Sequence, residues 1–388
     1  VNFDFATRID RRQHPTKKWQ QYEEDVLPLW VADMDFRSPP AILSALEARV
    51  EHGVFGYGDV SAALKQTLCE WSRHHYDWPI EAEWQCWVPG VVPALNLAAM
   101  AFSEPGQGVL TATPIYPPFL SVAKNTGREA QTFELAEPAA AGEPWRLDLA
   151  ALEAAIRPNT RVLLWCHPHN PTGRVWSADE LQGLAELAER HDLIVLSDEL
   201  HCDLILDPSL PHQPLGQLCP ALASRLITFW APSKTFNIAG LSSACAIISD
   251  DALRDRFRTA AAGLLPSVNV LGLSASLAAY ADCEAWRQAL LAELRGNLTM
   301  VEAHVSRWPG VTMSTPQATY LAWLDLRRSA LADAPQQRLL EEARVALSDG
   351  AAFGWPGFVR LNFGMPRSWL EEALLRLDRL LADESSRR

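Results

Sequence analysis

Strand-like apolar runs alternate with helical patterns through the middle of this 388-residue chain, and that alternation constrains its fold more than any single residue. Strand candidates lie near 108–112, 161–166, 192–197, 226–230 and 244–248, with helical spacing between them, as over 178–191. Parallel neighbours need long crossovers, so the pattern predicts an α/β fold with a largely parallel sheet covered by helices. Three runs also end in polar residues. Val162-Leu163-Leu164-Trp165 leads to His167-Pro168-His169-Asn170-Pro171-Thr172-Gly173, Leu193-Ile194-Val195-Leu196 to Ser197-Asp198-Glu199, and Leu226-Ile227-Thr228-Phe229-Trp230 to Pro232-Ser233-Lys234. Ligands of open α/β sheets bind beyond the carboxyl ends of the strands, so Asn170, Asp198 and Lys234 are expected to converge.

The chemistry this trio points to is that of pyridoxal phosphate. A loop lysine alone is usually a solvated charge. At the end of a buried strand, Lys234 is a candidate Schiff-base nucleophile, with Asp198 holding the pyridine nitrogen protonated and the Asn170 amide reaching the ring hydroxyl oxygen. The strand-like segment 84–89 runs into Gly90-Val91-Val92-Pro93 and then a helical pattern from Ala94. Backbone amides at such a helix start can cradle a phosphate, and Ser233 can add a hydroxyl. Tyr116, in Pro114-Ile115-Tyr116-Pro117-Pro118, either stacks on the ring or is a loop tyrosine stiffened by prolines. His201 either reaches the ring hydroxyl or is a structural histidine. His167 and His169 have no further ligands at zinc spacing, so no metal site is expected.

Arg360 lies in Gly357-Phe358-Val359-Arg360-Leu361-Asn362-Phe363, where a period of two puts Phe358, Arg360 and Asn362 on one face. Its planar fork suits the α-carboxylate of an amino acid; the alternative is an internal ion pair.

The remaining chain supplies a frame. Residues 1–40 read as an extended arm, 41–52 and 61–76 as helices, and 268–305 as a long helical pattern broken near Asp282-Cys283-Glu284. A strand over 319–326, a helix over 336–348, a strand over 358–363 and a helix over 367–382 read as a small α+β domain. The expected division is an arm at 1–45 that contributes to the small domain, a large domain at 46–275 and a small domain at 276–388. The net charge of −13, from 47 acidic against 34 basic residues, argues against nucleic acid or an anionic membrane as partner. With no membrane-length apolar stretch and no signal-peptide pattern, a cytoplasmic enzyme is expected. The seven cysteines are scattered and read as reduced, buried thiols, and the 15 tryptophans as core mass rather than a base-stacking platform.

These phrases together resemble the fold-type I pyridoxal-phosphate enzymes of the class I/II aminotransferase superfamily. The shared motifs are Asn170-Pro171-Thr172-Gly173 and Ser233-Lys234. Asp33-Met34-Asp35-Phe36, Gly53-Val54-Phe55-Gly56-Tyr57 and Asp198-Glu199-Leu200-His201 are similar to the MalY/PatB-type cystathionine β-lyases, and matching phrases, among them Thr319-Tyr320-Leu321-Ala322-Trp323, run nearly end to end. The resemblance implies a three-layer αβα large domain with a small α+β domain, and a homodimer with shared active sites. It places Tyr57 as a phosphate contact offered to the neighbouring subunit, and His201 where transaminating relatives carry a tyrosine. It implies α,β-elimination from L-cystathionine or related L-cysteine thioethers to pyruvate, ammonia and a thiol, within sulfur amino acid metabolism and methionine biosynthesis. An aminotransferase would use the same cofactor residues, and a protein that docks on a transcription factor is the reading of another class. Ala231, Gly58 and the short stretch Phe353-Gly354-Trp355-Pro356-Gly357 depart from the pattern of these relatives.

Overall fold

A computed structural model describes residues 3–386. Its central seven-stranded sheet has the spatial order Gln85–Val88, Ala244–Ile247, Leu226–Trp230, Ile194–Asp198, Thr160–Cys166, Gly108–Thr113, Glu129–Glu134. Ala244–Ile247 runs antiparallel to both neighbours, and the other pairings are parallel. The middle strands are buried almost throughout because both faces are covered. Successive side chains serve opposite faces: Val162 and Leu164 pack with helices Val91–Phe102, Pro117–Thr126 and Asp251–Ala261, whereas Leu163 and Trp165 pack with Leu149–Ala155 and Ala178–Arg190. This is the expected three-layer α/β arrangement. Ala178–Arg190 shows how locally it is encoded: Leu181, Leu184, Ala185 and Ala188 form its buried stripe, and Ser177 with Glu180 forms a capping box at its start.

A second, antiparallel sheet has the order Ser348–Asp349, Phe358–Asn362, Leu321–Asp325, Thr312–Met313. Helices Glu284–Val305 and Arg367–Ser386 accompany it. The arm joins this part of the molecule: Leu27–Pro28 pairs parallel with Val345–Ala346, and Asn362 N–H donates to Leu29 O at 2.9 Å. Beyond that pairing, segment 30–36 passes to the carboxyl end of the large sheet, where Ala32 meets Lys234.

Three local expectations are corrected. The helix expected over 336–348 covers only Pro335–Glu341, because Arg344 turns to φ 57° and Val345–Ala346 leaves to pair with the arm. The helix expected from Ala94 begins at Val91. Edge strand Glu129–Glu134 carries no apolar run; only Gln131 and Phe133 are buried, so periodicity did not mark it. The pattern over 268–305 divides at Cys283 into Val270–Asp282 and Glu284–Val305. All seven cysteines are buried and unpaired. Among the described residues, no helix is long and apolar enough to cross a membrane.

Candidate active site

Asp198 is the last residue of its strand, with Cys166 and Phe229 as register partners on the adjoining strands. Asn170 follows the Cys166 strand and Lys234 the Phe229 strand, so three neighbouring strands deliver three polar side chains to one place. They line a cavity of about 220 Å³ together with Gly90, Val91, Val92, Tyr116, His201 and Ser233. Ala32, Cys166, Ser242 and Ser243 also line it. Tyr57 stands apart, fully exposed on the segment after helix Pro40–Glu51.

Arg360 adjoins the cavity from the small sheet. Its Nη1 donates to Asn170 Oδ1 at 2.9 Å, and its Nη2 to Trp30 O at 2.9 Å and Ser348 Oγ at 3.4 Å. The Nε has no partner, and the guanidinium lies 4.8 Å from the centre of the Phe353 ring. The residue is only 4% exposed, yet among the described residues no carboxylate pairs with it. The internal ion pair, the other reading of this arginine, does not form. A buried, unpaired cation is costly, and burial lowers its pKa to about 10. A carboxylate ligand would offset that cost.

Burial dominates the protonation of the other groups. It raises the Asp198 carboxyl to about 7, with a backbone hydrogen bond from Leu200 and the charge of Lys234 opposing the rise. It lowers Lys234 to about 8, against the pull of Asp33. It lowers His201 to about 3, so the imidazole is neutral, and its Nδ1 has no hydrogen-bond partner. Cys166 is pushed well up by burial, and its thiol donates to Pro168 O, which leaves it inert as a nucleophile.

A helix start also opens onto the cavity. Gly90 adopts φ 146° and ψ 158°, and helix Val91–Phe102 begins without a side-chain cap. A Cβ at Gly90 would meet only Pro93 Cδ, at 3.6 Å, so the backbone angle rather than space calls for glycine. Ser242, in the left-handed region at φ 49°, and Ser243 add hydroxyl-bearing residues there. Among the described residues, Lys234 is the only lysine or arginine lining the cavity, so a phosphate would be met by helix amides, the helix dipole and hydroxyls.

Pyridoxal phosphate fits this donor set. A buried carboxyl of raised pKa, an orphaned imidazole nitrogen, an uncapped helix start and a lysine of lowered pKa each match one part of it. No side-chain pattern in the sequence singles out Ala32, Ser242 or Ser243. Ala32 contributes through its carbonyl, which no side-chain pattern announces, and the serines arrive through a left-handed turn after a short helix, Ala239–Leu241.

Residues 24–377 match the aminotransferase class I and II family. The chain is 37% identical to cystathionine beta-lyase PatB of Bacillus subtilis over 98% of its own length and 100% of that protein. It superposes on the crystal structure of OvoB with a TM-score of 0.93 and 43% identity, covering 98% of this chain and 99% of that one. Cystalysin from Treponema denticola, a structure that contains pyridoxal 5'-phosphate, gives a TM-score of 0.93 at 34% identity, over 99% and 100% of the two chains.

Proposed function

The chain belongs to the aminotransferase class I and II family, and from that premise we propose that it is a pyridoxal-phosphate-dependent carbon–sulfur β-lyase. It cleaves L-cystathionine or related L-cysteine thioethers to pyruvate, ammonia and a thiol. The observation that carries the lyase reading is the end-to-end likeness to PatB, a cystathionine β-lyase.

Pyridoxal phosphate, when bound, supplies a conjugated cationic ring that draws electrons from the substrate's Cα. In our assignment Lys234 anchors it covalently through Nζ and, as the free amine, takes the α-proton. A pKa near 8 leaves part of the population neutral at physiological pH, as a base requires. Asp198 would supply negative charge to the ring nitrogen, and Tyr116 would pack against the ring. Asn170 turns Oδ1 to Arg360, which leaves its Nδ2 free to donate, and with His201 it would hold the ring hydroxyl. Gly90, Val91, Val92 and Ser233 would hold the phosphate. Arg360 binds the α-carboxylate and so fixes which bond at Cα faces the base.

The same proposal includes a cytoplasmic homodimer acting in sulfur amino acid metabolism, with Tyr57 completing the phosphate site of the second copy. Val54, Phe55 and Tyr57 support it: they are 63%, 55% and 108% exposed, an unusual run of bare apolar and aromatic side chains. The arm at 1–45, large domain at 46–275 and small domain at 276–388 remain our division of the chain; the pairing of Leu27–Pro28 with Val345–Ala346 supports assigning the arm to the small domain.

The test is incubation of cofactor-loaded protein with L-cystathionine, assayed for pyruvate and thiol, beside a 2-oxo acid reaction scored for amino-group exchange. Equal yields of pyruvate and thiol are expected. Exchange without thiol release would make the chain an aminotransferase.

A further inference from the structure

Ala32 O accepts two hydrogen bonds, from Lys234 Nζ at 2.7 Å and from the Tyr320 hydroxyl at 2.9 Å. A carbonyl oxygen has two lone pairs, so the pair of donors fills it. The carbonyl is also held in place. Asn362 Nδ2 donates to the carbonyls on either side, Val31 O at 2.6 Å and Asp33 O at 2.7 Å. Asn237 Nδ2 binds Met34 O and Phe36 O, and Arg360 binds Trp30 O. Segment 30–36 is therefore a strap fastened by side chains of the small sheet and of the loop after strand Leu226–Trp230, with Ala32 O at its centre. Tyr320 is fully buried, and its ring lies 6.2 Å from that of His201.

We propose that Ala32 O, shared with Tyr320, is the seat at which Lys234 rests as a free amine during turnover, and that Tyr320 is a positioning residue for this base. An amine nitrogen 2.7 Å from a carbonyl oxygen donates a hydrogen bond to it, so Ala32 O is placed to receive the free amine. A fixed carbonyl keeps the amine within the cavity and returns it to one place after each proton transfer. Because Tyr320 takes half of the acceptor capacity, the seat holds the ammonium less firmly than an unshared carbonyl would. Among the described residues, the charged and titratable groups around Lys234 are Asp33 and Asp198, which favour its charged form, Arg360, which opposes it, and the neutral His201, Tyr320, Tyr116 and Cys166. Tyr320 thereby acts against the two carboxylates and favours the basic form. This role accounts for two phrases of the sequence that cofactor binding leaves unused, Trp30-Val31-Ala32-Asp33-Met34-Asp35-Phe36 and Thr319-Tyr320-Leu321-Ala322-Trp323.

The inference rests on the pyridoxal-phosphate reading, and its test separates the two. Cofactor-free protein is mixed with pyridoxal phosphate, and the rate of cofactor capture is followed by absorbance as a function of pH. Capture needs the neutral amine, so its midpoint reports Lys234, expected near 8 in the unaltered protein. Tyr320→Phe should raise that midpoint by about half a pH unit, since removing the competing donor strengthens the bond to the ammonium. Asn362→Ala frees the carbonyl from its fixed place, so it should lower the midpoint, and it serves if Tyr320→Phe does not fold. A midpoint that stays, or moves against the expected direction, in a folded variant overturns the seat while leaving the cofactor reading intact. Failure of the unaltered protein to capture the cofactor at any pH overturns both.

Discussion

Arg360 Nη1 donates to Asn170 Oδ1 at 2.9 Å, which ties a strand of the small sheet to the loop after a strand of the large one. The contact spans 190 positions of sequence and joins the group assigned to the substrate carboxylate to the group assigned to the cofactor ring. The oxygen of Asn170 is committed to the arginine, so its amide nitrogen is the end left to donate to a ligand.

Arg360→Lys should test the arginine's role. An ammonium cannot hold a carboxylate bidentately and also reach Asn170, so KM for an L-cysteine thioether should rise about 10- to 100-fold, with a smaller fall in kcat. The matching thioether amine without the α-carboxylate should barely distinguish the two proteins. An unchanged KM for the amino acid would remove Arg360 from the carboxylate site.

Asp198 gives a stability prediction of definite sign. Its folded pKa of about 7 lies above the ordinary carboxylate value of 3.8, so between these values the folded chain holds a proton that the unfolded chain has lost. Stability of the cofactor-free protein is therefore undiminished by this group below pH 4 and declines as pH rises, until the full cost is present above about pH 7. Asp198→Asn should stabilise the cofactor-free protein by about 1–4 kcal/mol at pH 8 and leave it unchanged near pH 4. Lys234 runs in the other direction: its lowered pKa imposes a cost that is full below pH 8 and fades toward 10.5. Urea unfolding of both proteins at the two pH values decides the matter; equal stabilities at pH 8 would mean that the carboxyl is not strained. The same substitution should cost the loaded enzyme about a thousandfold in kcat, if the lost ion pair amounts to about 4 kcal/mol.

Gly90→Ala probes the helix start. The glycine sits at φ 146°, a conformation that an alanine adopts at a cost of about 1–3 kcal/mol, although there is room for its Cβ. The substitution should re-aim the Val91 and Val92 amides and weaken cofactor binding about tenfold or more. Fluorescence titration of cofactor-free protein measures it. Unaltered affinity would place the phosphate elsewhere.

How much of this was legible depended on where the information resides. Asn170, Asp198 and Lys234 could be singled out because each follows an apolar run that buried parallel strands require, and register then brings them together. Arg360 stood out as a charge on an apolar strand. Ala32 did not, because its part is played by a carbonyl positioned by Asn362 and Tyr320, residues some 290 to 330 positions away. The failed helix over 336–348 has a related cause: Val345 and Ala346 have helix-compatible spacing, but their burial comes from pairing with Leu27 and Pro28, a long-range partner that periodicity does not register.

The bare segment around Tyr57 leads to the last prediction, about assembly. If Tyr57 completes the site of a second copy, Tyr57→Ala and Lys234→Ala each disable both sites of a homodimer, but by lesions contributed from different chains. A mixed dimer then carries one site with both lesions and one site with neither. Random reassociation of equal amounts makes half of the dimers mixed, with one intact site in two, so about a quarter of the unaltered activity should return. Sedimentation of the unaltered protein as a dimer should accompany it. If mixing restores nothing while the dimers demonstrably exchange subunits, Tyr57 serves its own chain or none, and the exposed Val54 and Phe55 need another explanation.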